Sequence, residues 1–290
     1  MPVMIPVPEQ LGGDLLIIGG AEDKRNDRVI LRRFVELAGG ADADILIVPI
    51  ASDFPEVAGR VYEELFTTFG AGRVRTLTGQ TRGEVMAQDA EALLDGVTGV
   101  FMSGGDQMRL TTTLGGTDFA GLLERRVRDR LTLGGTSAGA AAMSSAMIVR
   151  GENALQLQQD AIRLSPGLGV LRHIIIDQHF TQRSRLNRLI TAVCYNPRNL
   201  GIGIDEDTAV LINKAGDLEV LGTGTVTLVD GSDVPYTNIA EVGMTAPLSV
   251  FGLKLHILAP GFRYNIRTRK PLELTPAAPA KKRAQSKPER

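Results

Sequence analysis

The sequence predicts an α/β fold: a three-layer, mostly parallel sheet flanked by helices, with an antiparallel C-terminal extension. Two observations predict it. Short β-branched runs that end in glycine and give way to helical periodicity recur through the first two thirds of the chain, which is the alternation a parallel sheet with helical crossovers requires. From residue 201 onward that pattern stops, and short strands separated by hairpin turns replace it.

The elements follow in order. LLIIGG (15–20) reads as a buried strand breaking into a glycine loop, and residues 21–40 bring apolar side chains at Val29, Ile30, Phe34, Val35 and Leu37 before a glycine stop. ADILIVPIAS (43–52) repeats the scheme with 57–71 as its helix. VRTLTG (74–79) is followed by a helical stretch over 84–95. GVTGVFMSGGDQMRL (96–110) runs from strand through glycine loop into a helix starting near Gln107, and RLTLGGTSAGAAAMSS (130–145) does so again. VLRHIIIDQHFTQRSRLNRLITAVC (170–194) begins as a strand and ends as a helix whose apolar face includes Leu186, Leu189, Ile190 and Val193. Hairpin turns are expected at NKAGD (213–217) and LVDGSD (228–233), in an antiparallel extension of the same sheet. A single domain over 1–275 and a disordered basic tail over 276–290 complete the expected organisation.

Composition narrows the function classes. The 290 residues are 43% hydrophobic and 22% charged, ordinary for a water-soluble globular chain. The net charge of −1 is uneven: the last fifteen residues hold five Lys/Arg against one Glu, so the body is mildly acidic. With Trp absent and aromatics at 4%, neither a basic body nor a stacking platform speaks for nucleic acid as a partner. The single cysteine, Cys194, excludes an intrachain disulfide and a thiolate metal cage, and the three histidines are not clustered, so neither metal nor cofactor is expected. No apolar stretch approaches the ~18 residues of a spanning helix. The N-terminal MPVMIPVPEQLGGD lacks a basic start and a continuous apolar run, and the expected address is cytoplasmic.

In Gly135-Thr136-Ser137-Ala138-Gly139, a serine sits where a strand-like run meets an alanine-rich helical run, the context of a nucleophile elbow. Small neighbours permit the strained turn that lifts a hydroxyl above a sheet. A serine needs a base. His173 begins an apolar run and His256 lies in alternating GLKLHILAP, so both read as structural, whereas His179 follows strand IIID (174–177) at the carboxyl end, where open α/β sheets bind ligands. Asp205, Glu206 and Asp207 offer the orienting carboxylate; strand alternation sends Glu206 to one side and its neighbours to the other, and Glu206 is preferred. Amides of Gly105 or Asp106, in SGGD at another strand end, would join that of Ala138 in an oxyanion hole. The chain order serine, histidine, acid differs from that of lipase-like α/β-hydrolases.

GGAEDK (19–24), SGGDQ (103–107), GTSAGA (135–140), DQHFTQRSRLNRL (177–189) and GIDEDTA (203–209) together resemble the cyanophycinase family over residues 14–265. These are serine peptidases with a fold similar to class I glutamine amidotransferases, flavodoxin-like in its layering. The resemblance implies Ser137 as nucleophile, His179 as base and Glu206 as acid. It implies exopeptidase release of β-aspartyl-arginine dipeptides from cyanophycin, a poly-aspartate backbone bearing arginines on its side chains. It also implies a homodimer.

Each repeat of such a polymer presents a carboxylate and a guanidinium. Arg183, Arg185 and Arg188 are candidates for the carboxylate, Asp177 and Gln178 could position substrate groups, and Glu22 and Asp23 are candidates for the guanidinium. Two other readings compete. One is an α-aspartyl dipeptidase resembling dipeptidase E, the other a catalytically silent binding module on the same fold.

Overall fold

In a computed structural model, residues 11–151 and 156–272 are described. The expected basic tail, most of the N-terminal segment and the domain boundary at 275 lie outside them. In chain order the strands are β1 (Leu15–Ile18), β2 (Asp44–Val48), β3 (Arg73–Thr76), β4 (Gly99–Met102), β5 (Thr132–Thr136), β6 (Ala146–Arg150), β7 (Arg163–Pro166), β8 (Ile174–Gln178), β9 (Leu200–Ile204), β10 (Thr208–Ile212), β11 (Asp217–Gly222), β12 (Val226–Asp230), β13 (Lys254–Leu258), β14 (Arg263–Asn265) and β15 (Lys270–Pro271). The helices are α1 (Val29–Leu37), α2 (Pro55–Thr68), α3 (Arg82–Met86), α4 (Ala90–Leu94), α5 (Gln107–Leu114), α6 (Asp118–Asp129), α7 (Ala138–Ala141) and α8 (Leu186–Tyr195).

The main sheet has the order β15-β14-β11-β10-β1-β5-β4-β2-β3. Strands β1 to β5 run parallel to one another within it, while β10, β11, β14 and β15 add to its β1 edge in antiparallel fashion. Because the side chains of a strand alternate between faces, the central strands must be apolar throughout, and they are. Leu15, Ile17, Leu46, Val48, Val100 and Met102 pack on one face under Leu110, Leu122 and Val127. Leu16, Ile18, Ile45, Ile47 and Phe101 pack on the other against Phe34 and Phe66. Phe34 and Phe101 meet edge to face with centroids 5.1 Å apart.

Four details depart from the sequence expectations. The helix read over 84–95 is two short ones, because Asp89 accepts from the amides of Glu91 and Ala92 and starts a new helix. Helix α6 has no counterpart among the expected elements, although Thr117 caps it and Phe119, Leu122, Leu123 and Val127 supply its buried face. NKAGD forms the turn between β10 and β11. After LVDG, however, the chain leaves on a long excursion before β13 pairs with β12, since buried Asp230 is taken up by Ser232 and Arg269.

The fourth departure matters most for the site. Strand β8 does not join the main sheet; it pairs in parallel with β9 in a second sheet of order β13-β12-β9-β8. The extension expected on one sheet is therefore divided between two. The chain crosses from β9 to β10, and so between sheets, within Asp205–Asp207, where Asp207 takes a left-handed φ of 47° that turns the backbone sharply. Two amides stitch the seam: His179 N donates to Gly19 O at 2.9 Å and Asp207 N donates to Gly20 O at 2.9 Å. The carboxyl ends of β1 and β8 are thereby brought together. Among the described residues no helix is long and apolar enough to cross a membrane.

Candidate active site

Strand β5 pairs with β1 so that Thr136 lies opposite Ile18, and Ser137 N donates to Ile18 O at 3.0 Å. Ser137 follows with φ 49° and ψ −107° before α7 begins. A non-glycine residue in that region costs on the order of 1–3 kcal/mol and persists only where its surroundings hold it. Helix α7 has only four residues, shorter than the alanine-rich run suggested, so its dipole adds little beyond its first amides.

Ser137 Oγ lies 2.8 Å from His179 Nε2, and His179 Nδ1 lies 2.7 Å from Glu206 Oε1. His179 sits just past the end of β8 with φ 48°. Its ring lies over Gly20, where a Cβ would come within 2.4 Å of the imidazole; the glycine-rich end of β1 exists to make room for it. Gly203 does the same for Phe180, whose ring would meet a Cβ at 2.5 Å. Burial pushes the His179 imidazole below its ordinary value; the Glu206 hydrogen bond opposes this, and the positive charge of Arg183 adds to the fall. The ring is thus neutral near pH 7, the state in which it can accept a proton.

The three carboxylates left open by the sequence are resolved by the seam. Glu206 reaches the imidazole, its amide donating to Gln182 Oε1. Asp205 is buried and faces the other way, accepting from the amides and hydroxyls of both Thr181 and Thr225. Burial raises its carboxyl, but those hydrogen bonds outweigh it and hold the net value below the ordinary one. Asp207 accepts from Asp23 N and from Thr223.

Of the amides expected around an oxyanion, that of Asp106 is corrected: it donates to Ala51 O at 2.8 Å, and its side chain caps α5. Ala138 opens α7, so its amide has no intrahelical acceptor. Gly104 passes close by, a Cβ there coming 3.4 Å from Ser137 Cβ, and Gly105 follows it in the same loop with φ 139°.

The groups expected to meet substrate divide. Asp177 is fully buried and Arg188 nearly so. They meet each other: Arg188 Nε donates to Asp177 Oδ2 at 2.6 Å, Nη2 donates to Oδ1, and Nη1 donates to Gly151 O at 2.8 Å. Burial and this mutual pairing keep both from direct contact with substrate. Arg185 stands at the N-cap position of α8, and its guanidinium donates to Asp177 and to Gln178 O. Burial pushes it down to about 10, with Asp177 opposing, so it stays charged at neutral pH. Gln178 is buried and its amide donates to Asp177. Arg183 is exposed.

On the first loop, the Asp23 carboxylate accepts from the amides of Arg25, Asn26 and Arg28 and so shapes the loop itself. Glu22 is 4% exposed and ringed by Lys24, Tyr62 and Thr136. Cys194 is buried, and His256 is half-buried beside Tyr264 with its Nε2 enclosed. Sequence reasoning missed Lys24, Tyr62, Gln182 and the clasp made by Asp205. Only the acidic run around Asp205 carried any signal. Among the described residues no group of three or more His, Cys, Asp or Glu could hold a metal ion.

An α/β fold that brings a serine, a histidine and a carboxylate into one hydrogen-bonded chain where its two sheets meet defines a serine hydrolase. The profile of Peptidase family S51 matches residues 15–219, and the chain belongs to that family. It is 44% identical over 257 residues to a cyanophycinase of Thermosynechococcus vestitus, covering 88% of this chain and 80% of that one. It is 42% identical over 265 residues to a cyanophycinase of Geminocystis herdmanii, covering 91% and 97%. Among solved structures, a peptidase from an acI-B1 Actinobacterium shares the fold with a TM-score of 0.59 at 19% identity, covering 84% of this chain and 98% of that one.

Proposed function

We propose that this protein is a serine exopeptidase that hydrolyses cyanophycin to β-aspartyl-arginine dipeptides through an acyl-enzyme. The observation that carries the reading is the unbroken chain Glu206–His179–Ser137, at 2.7 and 2.8 Å, in a family whose similar members are cyanophycinases over about nine tenths of this chain. Ser137, on its nucleophile elbow, attacks the aspartyl carbonyl as His179 takes its proton. Glu206 holds the imidazole tautomer and balances the imidazolium. Amides of Ala138 and Gly105 receive the oxyanion, His179 returns the proton to the leaving amine, and water then releases the acyl group by the same route. Exposed Arg183 and half-buried Arg185 are the cations best supported for the substrate's carboxylates, with Asp177, itself held by Arg188, fixing Arg185 and the Gln178 backbone amide.

The same reading carries a homodimer in the cytoplasm, with residues up to 275 as one domain; light scattering on the purified protein tests the dimer. The substrate is tested by incubating the enzyme with insoluble cyanophycin and, in parallel, with aspartyl dipeptides, followed by mass spectrometry of the soluble products. Release of β-aspartyl-arginine from polymer, lost about a millionfold in Ser137→Ala, is the expected outcome. Cleavage of aspartyl dipeptides with an intact polymer would move the protein to the dipeptidase reading, and polymer loss undiminished in Ser137→Ala would remove the serine mechanism.

A further inference from the structure

A cavity of about 260 Å³ opens beside Ser137, walled by Ala58, Val61, Tyr62, Gly104 and Thr136 and closed by Glu22 and Lys24. No residue of β8, α8 or the arginine-bearing segment between them lines it. Its size suits one substrate residue rather than a folded partner, and its apolar wall suits a methylene stem.

At its base Glu22 accepts from Lys24 Nζ, Tyr62 OH and Thr136 Oγ1, each at 2.6 Å. Burial raises the Glu22 carboxyl, but the Lys24 ammonium and these donors outweigh it, so it stays ionised at neutral pH. Both carboxylate oxygens are engaged, so Glu22 is unsuited to take the substrate guanidinium expected of it from sequence. What the cavity presents is the ammonium. Lys24 keeps 34% of its side chain exposed, and its Nζ lies 5.3 Å from the Tyr62 ring centroid. One of its three N–H donors goes to Glu22, and the others remain for a ligand. The loop that carries it is set before any ligand arrives. Asp23 accepts three loop amides, and its own amide is tied to Asp207 at 2.9 Å, one residue from Glu206.

We propose that Lys24, held in place by Glu22 and Tyr62, binds a free carboxylate on the substrate residue seated in this cavity and sets the enzyme's preference for substrates that carry one. The inference rests on the proposed function and assigns that reaction a second anion site, in a cavity whose lining includes neither Arg183 nor Arg185. For a β-aspartyl-arginine unit the group bound is the arginine's own α-carboxylate.

The test is calorimetric and independent of turnover. β-Aspartyl-arginine and its arginine-amide are titrated into the full-length Ser137→Ala protein and into the same protein carrying Lys24→Met or Lys24→Arg. A charge-assisted hydrogen bond predicts that the parent binds the acid about 10- to 100-fold more tightly than the amide. Lys24→Met should reduce that preference to about threefold or less by weakening the acid alone, and Lys24→Arg should retain most of it. Thermal melts confirm that each variant is folded. Equal affinity of the Ser137→Ala protein for acid and amide, or an undiminished preference in Lys24→Met, overturns the assignment. Failure of the active enzyme to degrade cyanophycin would remove the substrate reading instead, while the acid-to-amide ratio still decides Lys24.

Discussion

Asp177 and His179 stand two residues apart at the end of one strand, yet they lead to opposite kinds of electrostatics. Around Asp177 the charges are sealed: Arg185 and Arg188 converge on a carboxylate with no exposure, and Arg188 donates further to the backbone carbonyl of Gly151. Around His179 the charges are left unfinished, since the imidazole has one carboxylate behind it, a hydroxyl before it, and a side chain that keeps 13% of its surface open. The sealed cluster contributes rigidity. The open one contributes a proton acceptor whose affinity can be set by what surrounds it. A short segment can encode both because its last strand residues enter the second sheet while the left-handed turn at His179 throws the ring across the seam.

The contrast makes predictions that differ in kind as well as size. Glu206→Gln removes the charge behind the imidazole and should cost about a thousand- to ten-thousandfold in kcat, with a urea midpoint close to the parent's; a large loss of stability would mean that Glu206 belongs to the framework. Arg188→Met does the reverse. It strands a buried carboxylate and should lower the unfolding free energy by about 3–5 kcal/mol in urea titrations, and restoring balance with Asp177→Leu in the same chain should recover much of that. If Arg188→Met left stability untouched and abolished only substrate binding, the cluster would be open after all.

Asp205→Asn weakens the clasp on Thr181 and should cost about 1.5–3 kcal/mol at neutral pH. The folded protein holds the Asp205 carboxyl below its usual 3.8, so this stabilisation is complete above that value and fades as pH falls through the lowered one. The parent and variant stabilities should therefore converge in acid. The smallest effect tests the open cluster alone. Arg183 lowers the His179 value by its charge, so Arg183→Gln should move the acid limb of the kcat/KM profile to higher pH by a fraction of a unit. A limb that stays in place would detach Arg183 from the imidazole.

Much of this was legible in the chain, for a physical reason. A nucleophile on a turn needs small residues on both sides, a base at a strand end needs a strand, and each requirement leaves a local mark, as around Ser137 and His179. Strand alternation could not say which of Asp205, Glu206 and Asp207 faces His179, and the three lie on a turn between β9 and β10 where each finds its own partner. What stayed illegible depends on partners far away in sequence. Nothing near Asp106 shows that Ala51 takes its amide, and nothing near Arg188 points to Gly151. Nor does the run IIID announce that it pairs with β9 in a separate sheet, since a parallel strand buried on both faces looks alike in either layer. Nothing in GGAEDK shows that Glu22, with Tyr62 beside it, holds Lys24 at the cavity.

The seam between the two sheets has a further consequence. Ser137 rides on one layer, His179 on the other, and Glu206 on the short span that joins them, so catalysis depends on how the layers register as well as on whether each is folded. A sub-ångström slide along that boundary would lengthen the serine–histidine contact while every strand kept its neighbours. Turnover is therefore the finest gauge of interlayer alignment in this molecule, and mild denaturant should silence it before spectroscopy reports any loss of structure.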